Sequence, residues 1–240
     1  MLTKLTIMTL LAMTSILAMA QDVTQFMGIP VDGTAEDMLR KIRAKGFKPT
    51  DYGAEMLQGE FNGGDVFIGV VTNKGKVWRV GVFDQKGVSE RNIKIRYNNL
   101  LRQFLKNDKY MAIDAEPIAE DEDISYEMTV HNKRYQASFA QSPDFEHMAD
   151  LDSAEVIRTP IMSFLLETAS LADITLGELL NMDGNGLMEL LARQGRGGEL
   201  IDILRQKSVW FMISEGASYG EYNICLYYDN GLNAAKGEDL

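Results

Sequence analysis

Between Met56 and Asp84 the chain alternates apolar and polar residues in three runs, 56–61, 66–72 and 77–84, separated by NGGD (62–65) and NKGK (73–76). A period of two places one set of side chains on each face of a strand, and the Asn and Gly residues of the breaks accept the positive φ that tight hairpin turns require. A helical period does not fit this spacing. The stretch predicts a three-stranded antiparallel meander.

Helical spacing flanks it on both sides. Thr34 with Asp37 reads as a capping pair, Met38, Leu39, Ile42 and Phe47 recur at helical intervals, and Gly46 offers a stop, which predicts a helix over 35–45. Ser89 caps a second helix reaching about Lys106, with Ile93, Tyr97, Leu100, Leu101, Phe104 and Leu105 in one stripe. After the acidic connector AEPIAEDED, the segment ISYEMTVHNKRYQASFAQ reads as a hairpin turning at His131 and Asn132, and two further strands follow at Val209–Ser214 and Tyr222–Asp229. Helix, hairpin and a strand opening with Val-Trp thus occur twice, at Val77-Trp78 and at Val209-Trp210. The fold class expected is α+β, an antiparallel β-sheet from two diverged helix-plus-meander units, with a helical insertion in the second. The units are 21–114, holding the first α-β-β-β set and the following helix, and 115–240, with the insertion at about 142–207.

Three helix-start signals mark the insertion: Asp152 with Glu155, Thr159-Pro160, and Thr175 with Glu178. The strands it separates, one ending near Gln141 and one starting near Ser208, are expected to be sheet neighbours. Runs such as VFIGVV and NICLYY are apolar on both faces, so the inserted helices are expected to cover the face left open by the other two.

The opening residues, MLTKLTIMTLLAMTSILAMAQD, have an early cation at Lys4, an apolar run and an Ala-x-Ala pattern at Ala18 and Ala20. That is the form of a secretory signal peptide over 1–20, cleaved after Ala20. A periplasmic or secreted location is expected, with no membrane span after cleavage. The net charge of −11 repels phosphate backbones, and no basic-aromatic tract offsets it, which argues against nucleic acid as a partner. Cys225 is the single cysteine, so no intramolecular disulfide forms, and its place in ICLYY predicts a buried, unreactive thiol.

Chemistry-bearing motifs are sparse. NMDGNGLMELLA (181–192) resembles a calcium loop, with Asn181, Asp183, Asn185 and Glu189 at ligand positions and Gly186 at the turn. Position twelve is Ala192, so the bidentate carboxylate is missing, and a turn between short helices is expected instead of a metal site. GASYG (216–220) matches the nucleophile elbow around Ser218, but an elbow needs a helix after it and the following EYNICLYYDN alternates like a strand; a hairpin loop is expected. His131 and His147 with one buried Cys do not supply a zinc site, and GRGG (195–198) lacks the Lys and Ser/Thr of a phosphate loop and reads as a helix break. Arg91, Lys94, Arg96, Arg102 and Lys106 on the second helix read as a solvated face. Tyr126, Tyr135, Trp210, Tyr222, Tyr227 and Tyr228 crowd the C-terminal strands; Tyr and Trp suit recognition surfaces and β-strand cores alike.

The stretches FMGIPVDGTAEDMLRKIRAKGF, ISYEMTVHNKRYQASF and YYDNGLNAAKGEDL resemble those of a group of uncharacterised exported proteins of Bacteroidales gut bacteria. The resemblance implies a Gram-negative envelope or extracellular setting and supplies no activity. Asp152-Ser153-Ala154 also resembles the short O-glycosylation acceptor of that group's exported proteins, with Ser153 as the acceptor. The function expected is that of a non-catalytic binding or scaffold module without a cofactor and with a protein partner. The alternatives are a glycan or small-molecule site lined by the C-terminal aromatics, and a serine hydrolase using Ser218.

Overall fold

The computed structural model describes residues 23–51, 53–142 and 160–235. The expected signal peptide, His147 and its acidic surroundings, the start signal at Asp152 and Glu155, and Ser153 lie outside them. The described residues divide into two compact units, one of 23–142 with 206–235 and one of 160–205. Among them no helix is long and apolar enough to cross a membrane.

The larger unit is α+β. A two-residue ladder, β1 (Gln25–Phe26) with β2 (Ile29–Pro30), precedes helix α1 (Ala35–Ala44) and strands β3 (Lys48–Thr50), β4 (Gly53–Phe61), β5 (Gly64–Asn73) and β6 (Lys76–Asp84). After the short β7 (Val88–Ser89) come α2 (Glu90–Leu105), β8 (Tyr110–Asp114), α3 (Ile124–His131), β9 (Gln136–Gln141), β10 (Lys207–Glu215) and β11 (Glu221–Asn230). The meander forms as its turn residues dictate: Asn62 and Gly63 have φ of 51° and 75°, and Lys74 and Gly75 have 49° and 80°. These are two-residue loops whose twist matches the flanking strands.

All pairings in the large sheet are antiparallel, in the order β3-β4-β5-β6-β11-β10-β9-β8, with β7 on the end of β11. Each half is a helix followed by four strands, and the two meet through β6 and β11. Ser208 pairs with Ala140, so the strands on either side of the insertion are neighbours as expected.

Three expectations need correction. Residues 124–131 are helix α3 and not the first arm of a hairpin. The Asp123 carboxylate accepts from Tyr126 N at 2.8 Å, and Asn132 ends the helix in the left-handed region at φ 52°. As a strand, Ile124, Tyr126, Met128 and Val130 would share one face; the helix buries Ile124, packs Met128 against the core and leaves Tyr126 and Val130 exposed. The true partner of β9 is β8, whose five residues carry too short an alternation to declare themselves. The two Val-Trp pairs are not equivalent either, because Trp78 lies on β6 and Trp210 on β10, while the strand order sets β6 against β11. Trp78 is in fact the extra residue of a bulge, between Val77 opposite Thr72 and Arg79 opposite Val71.

Register arranges the core in rows. Ile68, Val82, Leu226, Phe211 and Ala137 form one, and Val70, Val80, Tyr228, Val209 and Phe139 the next. Onto these rows pack Met38, Leu39 and Ile42 of α1 and Ile93, Tyr97, Leu101 and Phe104 of α2, all buried. Leu105, expected in the stripe, is exposed. The N-terminal segment is tied to the end of β11 by the fully buried Asn230, whose Nδ2 donates to Val31 O at 2.8 Å and whose Oδ1 accepts from Leu232 N at 3.1 Å.

The second unit is helical: α4 (Pro160–Leu171), α5 (Leu176–Leu180), α6 (Gly184–Gln194) and α7 (Gly197–Arg205). Pro160 takes the first helical position, and Thr175 with Glu178 makes a reciprocal capping box on α5. GRGG is a helix break, with Gly195 left-handed at φ 69° and α7 starting at Gly197. The Arg196 side chain in that break ties α7 to α4: it contacts both Glu199 oxygens at 2.8 and 2.9 Å, Glu167 at 2.9 Å and Thr168 Oγ1 at 3.0 Å, with its guanidinium 4.4 Å from the Phe164 ring centre. These contacts raise its pKa, Glu199 contributing most, and hold the Glu199 carboxyl below the usual carboxylate range. That contribution of Glu199 is present above the usual range and lost as pH falls through its lowered value. Arg196→Met is expected to destabilise this unit by about 1–3 kcal/mol, read as an earlier loss of helical circular dichroism in urea. A variant melting with the parent would show that the node contributes nothing.

Candidate functional site

The sheet face opposite the core carries its own rows. Phe67, Phe83, Cys225 and Met212 are register neighbours; so are Gly69, Gly81, Tyr227, Trp210 and Ser138, and then Val71, Arg79, Asp229, Ser208 and Ala140. Across the middle of these rows lies an aromatic cluster organised by one ion pair.

Arg79 donates from Nε to Asp229 Oδ1 at 2.6 Å and from Nη2 to Oδ2 at 2.7 Å. Its Cζ lies 4.3 Å from the Trp78 ring centre, 4.8 Å from that of Tyr227 and 5.3 Å from that of Trp210. The indole N–H of Trp210 donates to the same carboxylate at 2.9 Å, and the Trp210 and Tyr227 rings stack at 4.3 Å with 27° between planes. Phe83 meets Tyr227 edge-on at 5.7 Å and leans over Gly81, where an added Cβ would stand 2.5 Å from the Phe83 ring. Glycine at 81 is what lets that ring lie flat. The fork geometry of Arg79 and Asp229 fixes the guanidinium plane, and cation–π attraction holds the rings against it. The outcome is a rigid, half-buried surface in which the one cation and the one anion of the cluster cancel.

Alternation along β11 explains why only two of the six aromatics singled out from the sequence meet here. Trp210 and Tyr227 face outward and stack. Tyr222 and Tyr228, at even positions of β11, point into the core, and with Tyr135 they are 5 % exposed or less. Tyr222 shares a hydrogen bond with Ser125 Oγ at 2.7 Å, and Tyr135 donates to Glu122 Oε1 at 2.5 Å. Tyr126 is exposed on α3 with its ring 5.3 Å from His131. Arg79, Trp78 and Phe83 escaped the sequence reading because they come from β6, whose adjacency to β11 bridges distant parts of the chain. The readable signal was Arg-Val-Gly-Val-Phe, with Arg79, Gly81 and Phe83 on the face that the valines do not occupy.

The motifs resolve as local structure. Asp183 caps α6, its Oδ1 accepting from Gly186 N at 2.7 Å; Asn181 donates back to Gly177 O at 2.8 Å; Glu189 pairs with Arg193 one turn on. The 181–192 stretch is thus a short turn at 181–183 that runs straight into α6, and the side chain of Asn185 lies outside the described residues. Among the described residues no group of three metal-ligating side chains gathers. Ser218 sits in the β10–β11 hairpin loop, closed by Gly216 N to Glu221 O at 2.6 Å and Glu221 N to Ser218 O at 3.1 Å, so it joins strand to strand and makes no elbow. His131 closes α3 with Nδ1 2.9 Å from Glu127 Oε2. On α2, Lys94 Nζ donates to Glu120 O and Glu122 O at 2.7 and 2.8 Å, and Arg96 pairs with Asp84, so part of the basic face anchors the acidic connector and the sheet.

Cys225, expected to be buried, is half-buried, because strand alternation sets it in the outer row between Phe83 and Met212. Burial pushes its thiol up, against the smaller pull of hydrogen bonds with Tyr227 and Ser214. Iodoacetamide at pH 8 is therefore expected to alkylate the native protein several-fold more slowly than the urea-unfolded chain. Equal rates, followed by intact mass, would contradict this packing.

Comparison of the chain with protein-family models, with curated proteins and with solved structures finds no match.

Proposed function

We propose that this chain is an exported, non-catalytic binding module whose recognition surface is the Trp78–Arg79–Phe83–Trp210–Tyr227 face. The observation that carries the reading is the stacking of Arg79 against three rings while Asp229 grips it from the side. Binding hot spots are rich in Trp, Tyr and Arg. Because the polar atoms of this cluster are already paired with one another, contact with a partner orders few new side chains. The surface is locally neutral, so the partner favoured is a protein presenting apolar and aromatic side chains and no unpaired charge, which would be left unsatisfied against the rings. Export rests on the form of residues 1–20 and on the resemblance to exported proteins.

Tyr227→Thr keeps a strand-forming residue at the site and removes the ring. A partner cross-linked from the envelope fraction of the host is expected to map to this face and to lose roughly 30-fold in affinity on that change, as a hot-spot residue would. Cross-links to another face, or unchanged affinity, would refute the reading. The open Trp210–Tyr227 stack also favours a saccharide, whose C–H faces pack on such rings; a glycan array bound by the parent and not by Tyr227→Thr would put a sugar in the protein partner's place.

A further inference from the structure

On the core side of the larger unit, beside the last turns of α2, lies a cavity of about 270 Å3 that opens broadly to solvent. Its body is apolar and aromatic: Phe61, Phe104, Tyr110 and Tyr228, with Leu100 and Leu226. Its rim is three neutral amides, Asn62, Gln103 and Asn107, and Asn62 Nδ2 donates to Gln103 Oε1 at 2.9 Å. Among the described residues no Asp, Glu, Lys, Arg or His lines it.

We infer that this cavity is a binding site for a small uncharged ring compound bearing one hydroxyl or amide group. Size sets the scale, since the volume lies just under the ~300 Å3 at which ligand pockets begin, enough for a bicyclic ring and little more. Chemistry sets the class. A carboxylate or phosphate would enter without a cation to meet it, and Leu100, Gln103 and Phe104 belong to the C-terminal end of α2, where the negative end of the helix dipole opposes anions. Asn62 Nδ2 and Gln103 Oε1 hold one another, Asn107 Oδ1 accepts from Lys109 N at 3.1 Å, and the phenols of Tyr110 and Tyr228 are hydrogen-bonded together; the capacity that remains on the rim amides suits a single polar group on an apolar body. The site shares no residue with the Arg79 cluster and stands or falls independently of it.

Calorimetric titration of the purified protein with 2-naphthol and with naphthalene-2-carboxylate tests the inference. 2-Naphthol is expected to bind with one-to-one stoichiometry and the carboxylate at least roughly tenfold more weakly, the unmet charge being the difference. Gln103→Trp, at an exposed position on the rim, is expected to fill the mouth and lower 2-naphthol affinity by a similar factor with the melting temperature unchanged. In the parent protein, bound 2-naphthol should show proton cross-relaxation with the methyls of Leu100 and Leu226, a readout that does not depend on the variant folding. No saturable binding, equal binding of the two compounds, or bound 2-naphthol without those methyl contacts would each overturn the assignment. So would unchanged affinity in a folded Gln103→Trp.

Discussion

Phe211→Ala is expected to cost about 3–5 kcal/mol, the range for removing a fully buried phenylalanine. Phe211 is 0 % exposed and sits where both layers of the core meet, 5.0 Å from the Tyr97 ring and 5.8 Å from the Phe104 ring, both on α2, and 6.3 Å from Phe139 on β9. The hole would be walled by a sheet row on one side and a helix on the other, neither free to move in and fill it. Domains of this size carry only about 5–15 kcal/mol in total, so the variant should unfold at far lower urea, or fail to accumulate. Tyr227→Thr, one position from register with Phe211 but on the outer face, should cost about 1 kcal/mol. A Phe211→Ala midpoint close to that of Tyr227→Thr would sink the assignment of faces to β10 and β11.

That assignment was half legible in the sequence, for a physical reason. Local chemistry writes itself plainly: the positive φ at Asn62-Gly63 and Lys74-Gly75, the cap at Thr34, the capping box of Thr175 and Glu178 and the break at Gly195 each depend on residues within a few positions of one another. Where a periodic pattern was short or ambiguous, tertiary packing decided. ISYEMTVH alternates well enough for a strand, yet Ile124 and Met128 are also one helical turn apart, and the Asp123 cap with the Glu90 carboxylate accepting from Ile124 N tips the segment to helix. The aromatic platform was least legible, because its arginine and its carboxylate lie 150 residues apart and meet only once β6 and β11 pair. Counting aromatics found Trp210 and Tyr227; it also gathered Tyr135, Tyr222 and Tyr228, which strand alternation sends into the core. Residues near the two ends of the described chain also meet, through Asn230 Nδ2 to Val31 O and through Asn233 Nδ2 to Asp32 Oδ1, both at 2.8 Å, another contact that no local pattern announces.

Replacing residues 143–205 by an Asn-Gly turn is expected to leave a cooperatively folding protein with β-sheet circular dichroism. Every member of the main core cluster lies within 26–139 or 209–228, so the larger unit holds a complete core of its own among the described residues. Connectivity survives as well. Ala140 and Ser208 are already paired in antiparallel strands, and a two-residue turn of positive-φ residues is the shortest closure such a ladder accepts. Shortening the loop this far should favour folding, because closing a chain of more than 60 residues costs roughly 3 kcal/mol more than closing a two-residue turn. Binding of a hydrophobic dye by the shortened chain then tests the covering role expected of the inserted helices: strong new binding would mean that they cover the outer sheet face and would count against the Arg79 cluster as a recognition surface, and none assigns the helices a separate task. A shortened chain that is unfolded by circular dichroism would defeat the independence of the sheet unit, and partner affinity retained by a folded one would place recognition on the Arg79 face alone.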